Sequence, residues 1–139
     1  MDRMAEPREI GLRVKHAHEP PSPNDGYRVL VDRLWPRGHR KEDLQLDAWE
    51  KDLAPSDALR RWFGHDADRW SEFVRRYREE LSASHADARL EDLAQRASIG
   101  PVTLVYAAQD PAHNHALVLL QAILPRLMNA FAEPPRRAA

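Results

Sequence analysis

Val102-Thr-Leu-Val-Tyr-Ala-Ala-Gln-Asp-Pro-Ala-His-Asn-His-Ala116 passes from an unbroken apolar segment to a helix-start signal within a few residues. Val102–Ala108 is rich in Val and Leu and shows no alternation. Strands buried on both faces look like this, and they belong to parallel sheets with helices on each side. Asp110-Pro111 then offers an N-cap carboxylate and a proline at the first helical position, where its missing N–H costs nothing. The helix predicted from Pro111 is apolar through Ala116, Leu119, Leu120 and Ile123, and Pro125 should kink or end it. A strand feeding a helix in this way points to an α/β fold.

Tyr27–Leu34 has the same continuous apolar character and predicts a second buried strand. Ile10, Leu12 and Val14 alternate with Gly11, Arg13 and Lys15, a period of two that predicts a strand near a sheet edge. Glu19-Pro-Pro-Ser-Pro-Asn-Asp-Gly26 joins the two as a loop fixed by three prolines and released by Gly26. The chain between the second and last strands reads as helical. Ser56 caps a helix through Phe63 that Gly64 stops. Asp66 caps the next, where Trp70, Phe73, Val74, Tyr77 and Leu81 form one buried stripe. Glu72, Arg75, Arg76, Glu79 and Glu80 fall on its solvated face. A third helix runs from about Asp87 to Ala97, and Gly100-Pro101 launches the last strand. The order is β, β, three helices, β, helix. It describes one α/β domain over residues 9–131, mainly parallel, with a helical insertion between the second and last core strands. Flexible tails are expected at 1–8 and 132–139.

Composition narrows the function classes. The 139 residues suffice for one domain, which buries roughly two-thirds of its unfolded surface. Net charge is −1, from 21 basic and 22 acidic residues, so no global field draws the chain to nucleic acid or to an anionic membrane. Cysteine is absent, which removes disulfide scaffolds, thiolate zinc ligands and thiol nucleophiles. Met1–Glu9 lacks the apolar core of a signal peptide, and the longest apolar stretch, Ala116–Leu124, is too short to cross a bilayer. A soluble cytoplasmic protein is the expectation.

Each predicted strand ends in a cluster of charged or ring-bearing residues. Ile10–Val14 ends in Lys15, His16 and His18. Val29–Val31 ends in Asp32, Arg33, Trp35 and Arg37. Val102–Ala107 ends in Asp110, His113, Asn114 and His115. In a parallel sheet all three clusters share the carboxyl edge, where open α/β sheets bind ligands. Arg33 and Arg37 can clamp a carboxylate or phosphate through the guanidinium fork. Backbone N–H groups near Pro111–His113 can assist at the positive end of the helix dipole, with Asp110, Asn114 and His115 around the ligand. Trp35 can floor such a pocket, and His113 is the candidate proton donor or acceptor if chemistry occurs. The competing reading of the same residues pairs Asp32 and Asp110 internally with the arginines, so that they only fix turns. A third reading has His16 and His18 as metal ligands, since i and i+2 on a strand share a face. His113 and His115 diverge on a helix and do not chelate together. No cofactor is expected. Trp62 and Trp70 lie on helical stripes as core residues, and His65 sits at a helix junction as a capping device.

Three stretches carry a resemblance to a known family. Gly26-Tyr-Arg-Val-Leu-Val-Asp-Arg-Leu-Trp-Pro-Arg-Gly38, Leu53-Ala-Pro-Ser-Asp-Ala-Leu-Arg-Arg-Trp-Phe-Gly-His65 and Thr103–Ala116 resemble the YeaO-like proteins, a bacterial family catalogued as a domain of unknown function. The match spans roughly Ile10 to Leu124. It implies a small Rossmann-like, three-layer α/β fold and no established activity. Longer relatives of the wider superfamily carry a cysteine near the place of His113; with no cysteine here, thiol chemistry does not carry over. The functional expectation is an anion-binding pocket, in an enzyme or binding protein for a phosphorylated or carboxylated small molecule. The alternatives are a protein-interaction module built on the Arg-Trp-Arg turn, since Trp and Arg concentrate at interface hot spots, and a histidine-based metal protein.

Overall fold

Residues 11–83 and 85–132 are described by a computed structural model. Ile10 and, apart from Ala132, the two expected tails lie outside the described residues. The Val- and Leu-rich run forms a strand, Pro101–Tyr106 (β4), in which Val102, Thr103, Leu104 and Val105 are fully buried. It lies inside a four-stranded, all-parallel sheet, between Gly11–His16 (β1) and Tyr27–Leu30 (β2), with Ala48–Trp49 (β3) beyond β2. The edge strand β1 is half-buried throughout and runs on to His16, two residues past the predicted end. Strand β2 stops sooner than its apolar run. The Val31 N–H still donates to Val105 O, but the chain then turns and Leu34 is 62% exposed. No alternation announces β3, which is two residues long.

Four helices cover one face of the sheet: Asp57–Phe63 (α2), Trp70–Ala83 (α3), Ala86–Ala97 (α4) and His115–Ala132 (α5). Their apolar stripes pack on Leu12, Val14, Val29, Val102 and Leu104. The other face carries a small core of Ala17, Leu30, Leu44 and Val105, closed by Trp35, Leu46 and Trp49 and by the one-turn helix Lys41–Leu44 (α1). The expected second helical layer is thus replaced by loops. Its cause is the connection from β1 to β2, whose three prolines permit only a 3-10 turn at Pro23–Asp25 rather than a crossover helix. Gly26 closes that loop at φ +64°, and a Cβ there would lie 2.2 Å from Pro101 O, so no other residue fits. The excursion between β2 and β4 is mainly helical but also contains β3.

Beneath the loop layer sits a buried ion cluster. Asp25 receives Lys15 Nζ at 2.9 Å, Arg28 NH1 at 2.7 Å and the Ser22 N–H, while Arg28 Nε donates to Leu44 O. Burial alone would raise the Asp25 carboxyl pKa; the Lys15, Ser22 and Arg28 donors outweigh it and hold the group below its usual range.

Local signals in the helices act as read, with three exceptions. Ser56 Oγ accepts the Leu59 N–H, Gly64 ends α2 in the left-handed conformation, and Asp66 caps a 3-10 turn leading into α3. Phe73, Tyr77 and Leu81 are buried, whereas Trp70 and Trp62 are only half-buried, Trp62 lying under the Arg76 guanidinium at 4.3 Å. The first exception is Glu80, which leaves the solvated face to accept from Ser56 N at 2.8 Å and Ser56 Oγ at 2.6 Å. Second, α5 begins at His115 rather than Pro111. Third, it continues through Pro125: that residue and Gln121, whose carbonyl loses its helical donor, both lie on the exposed side of the helix. No helix among the described residues is long and apolar enough to cross a membrane.

Candidate functional site

At the carboxyl ends of β1, β4 and β2 the chain departs toward different faces. Ala17 after β1 and Trp35 after β2 enter the loop-covered core, whereas β4 leads to α5 on the helical face. Such divergence opens a crevice at the strand ends. A cavity of about 400 Å³ occupies it. Arg33, Trp35, Arg37, His113, Asn114 and His115 all line this cavity, and so do His16 and His18. Asp110 lies outside the lining and holds His113 from behind.

Arg33 is half-buried and anchored by neutral acceptors. Its Nε donates to Pro55 O at 3.2 Å and its NH2 to Ala54 O at 3.3 Å. These bonds use the side edge of the guanidinium and leave the end-on NH1/NH2 edge without a partner among the described residues. Arg37 is exposed and has no carboxylate within ion-pair distance among them. The internal Arg–Asp pairing considered for these turns therefore does not occur. Trp35 lines the cavity and also closes the small core: its ring packs edge-on to Trp49 at 5.4 Å and its Nε1 donates to His39 O.

Asp32 and Asp110 have other partners. Asp32 Oδ2 accepts the Ala107 N–H at 3.1 Å, tying the end of β2 to the end of β4. Its Oδ1 lies 3.1 Å from His115 Nε2, but that nitrogen is aligned on Val31 O at 3.0 Å, so the buried Oδ1 has no aligned donor. Asp110 Oδ1 accepts from the Ala112 and His113 N–H groups, and its Oδ2 lies 2.8 Å from His113 Nδ1. The Ala112 N–H and then the His113 ring hold this carboxyl below its ordinary pKa. The backbone donors expected to meet an anion are thus already used. Asn114 is buried and likewise structural, donating to Asp110 O and accepting the Leu117 N–H at the start of α5.

The metal reading meets a specific obstacle. His16 Nδ1 accepts the His18 N–H and its Nε2 faces Ala107 O at 3.1 Å, so neither nitrogen is free to ligate. The His16 and His18 rings stack on each other at 4.8 Å, and the His39 ring lies tilted by 40° against His18 at 4.9 Å. Among the described residues no three His, Cys, Asp or Glu side chains are grouped to hold a metal ion.

Among the charged and imidazole-bearing lining residues, Asp32, His39, Arg60 and His65 were not predicted as part of the site. His65 adopts φ +59°, uncommon outside glycine, directly after Gly64. That pair of left-handed residues was visible as a helix junction; its direction toward the sheet edge was not. His39 enters through loop packing, for which no spacing gives a signal. In total, six of the seven histidines of the chain line the cavity, with three arginines and one aspartate. The wall is cationic although the chain as a whole is nearly neutral.

Over residues 11–136 the chain matches the family described as "Inactive DUF488-N3 subclade". It is 47% identical over 114 residues to uncharacterised proteins of Mycobacterium tuberculosis and Mycobacterium bovis, covering 82% of this chain and 94% of each of those. To the uncharacterised protein YeaO of Escherichia coli it is 41% identical over 111 residues, with coverages of 79% and 94%. No solved structure matches.

Proposed function

Since the chain belongs to the DUF488 family of YeaO-like proteins, in a subclade described as inactive, we propose that its edge cavity binds a small anion without turning it over. One observation carries the reading: Arg33 and Arg37 line a concave site and neither pairs with a carboxylate among the described residues, amid six of the seven histidines of the chain. Buried or half-buried guanidinium groups are costly without a counter-charge, and a carboxylate or phosphate supplies it. Arg33, pre-anchored by the Ala54 and Pro55 carbonyls, offers its end-on edge; Arg37 closes from the rim. His113, oriented by Asp110, would contribute its Nε2 edge, and His115 its ring, beside the anion.

The lining supports binding over catalysis. Among the described residues it contains no hydroxyl or thiol nucleophile, and Asp32 Oδ2 is engaged with the Ala107 N–H. The interaction-module alternative draws less support, because the Trp35 indole is committed to Trp49 and His39 rather than presented outward. Titration of the 15N-labelled protein with inorganic phosphate and acetate tests the proposal. Saturable shifts confined to residues following β1, β2 and β4, and lost in Arg33→Gln, are expected. Neither anion producing a saturable shift there would sink it.

A further inference from the structure

Resting on the anion-pocket reading, the cavity wall also says what the rest of the ligand looks like. We infer that the site takes an anion carried on a flat aromatic body, and discriminates against hydroxyl-rich anions such as sugar phosphates. Two ring stacks bound the cavity. One is the imidazole series of His16, at the end of β1, with His18 and His39 from the loops after β1 and β2: His16 and His18 stack at 4.8 Å, and His39 lies tilted against His18 at 4.9 Å. The other is the Phe63–Phe73 pair from α2 and α3, at 4.4 Å and 25° between planes, which belongs to the helical core. Both stacks are among the lining residues, so the crevice has ring systems on the loop side and on the helix side.

Hydroxyl recognition needs donors and acceptors in matched pairs, and the wall is rich in guanidinium and imidazole donors but short of acceptors, Asp32 Oδ1 being its carboxylate oxygen without an aligned donor. Among the described residues no Ser, Thr or Tyr lines the cavity. The Asn114 amide is consumed at both ends, by Asp110 O and by the Leu117 N–H. His16 has both ring nitrogens engaged, His113 has Nδ1 on Asp110, and His115 has Nε2 on Val31 O. Gln109 is the one remaining carboxamide of the lining, and it is exposed. A sugar hydroxyl entering here would lose water and regain few bonds, whereas an aromatic ring loses little and gains stacking and apolar contact. The remaining fixed feature, the end-on edge of Arg33, matches the planar or tetrahedral oxygens of one anionic group.

Calorimetric titration of the whole chain with three probes tests this: phenyl phosphate, ribose 5-phosphate and inorganic phosphate. Phenyl phosphate is expected to bind about three- to tenfold more tightly than either of the others, the order of factor an aromatic contact of this kind supplies. His39→Ala, taken from the loop side where the fold does not depend on a core ring, should erase that preference. Ribose 5-phosphate binding as tightly as phenyl phosphate overturns the inference while the anion pocket stands. An undiminished preference in folded His39→Ala overturns the assignment of the imidazole stack. Failure of all three probes overturns the anion reading itself.

Discussion

Replacing Glu80 with alanine removes a carboxylate that holds the start of α2 in place. Its two oxygens accept from Ser56 N at 2.8 Å and Ser56 Oγ at 2.6 Å, from a half-buried position. Hydrogen bonds to a charged group contribute about 1.5–3 kcal/mol each. Water can re-solvate part of the freed Ser56 donors, which brings the sum down to about 2–3 kcal/mol. For a domain of this size that lowers Tm by roughly 6–12 °C. Glu79→Ala is the internal control, because its neighbour in sequence only pairs with Arg75 at 2.7 Å on the open surface. Exposed pairs of that kind contribute about 0–1 kcal/mol. Ser56 directly follows Ala54 and Pro55, whose carbonyls orient Arg33, so Glu80→Ala should also weaken phosphate binding while Glu79→Ala does not. Urea denaturation followed by tryptophan fluorescence, with phosphate titrations on both variants, provides the comparison. Equal midpoints for Glu79→Ala and Glu80→Ala would refute the reasoning.

Three further outcomes follow from the same geometry. Arg37→Ala should leave stability within about 1 kcal/mol, since the side chain is exposed and unpaired among the described residues, yet abolish anion binding; a large loss of stability in the ligand-free protein would show a structural role instead. Trp70→Ala should cost about 2–3 kcal/mol, less than the 3–5 kcal/mol of a fully buried ring, because Trp70 is half-buried against Phe63, Phe73 and His113; NMR should show the His113 ring signals moving with it. The Lys15, Ser22 and Arg28 donors outweigh burial and hold the Asp25 carboxyl below its unfolded range, so its contribution is complete at neutral pH and is lost as pH falls through the lowered folded pKa. Asp25→Asn should therefore be destabilised by about 3–5 kcal/mol at pH 7, with urea midpoints converging on wild type in acid.

What the sequence made legible was whatever depends on near neighbours along the chain. The unbroken Val102–Val105 run, the Ser56 cap, the Gly64 stop and the Phe73–Tyr77–Leu81 stripe all report local physics, and each element formed where it was expected. The strand-end clusters at Arg33 and His113 also met in one cavity, because parallel strands share an edge. Features set by distant packing were not legible. Glu79 and Glu80 look alike on a helical wheel, and only the position of Ser56, 24 residues away, separates them. Strand β3 has two residues and therefore no period. Asp110-Pro111 carries a helix-start signal, but the carboxylate closes a turn of its own on Ala112 and His113, and Asn114 takes over the cap.

The strand order also determines when this protein can fold during its synthesis. Gly11 is paired with Pro101 and Tyr27 with Val102, so both early strands wait for one that emerges some 75 to 90 residues later. Until the ribosome has released β4, neither β1 nor β2 has its neighbour on that side, and a chain stopped before Gly100 exposes both as unpaired edges. Distant pairings of this kind slow folding, because a large loop must close before any contact repays it. The sheet therefore cannot close before β4 has emerged, and a nascent chain halted at α4 still lacks the central strand that joins β1 to β2.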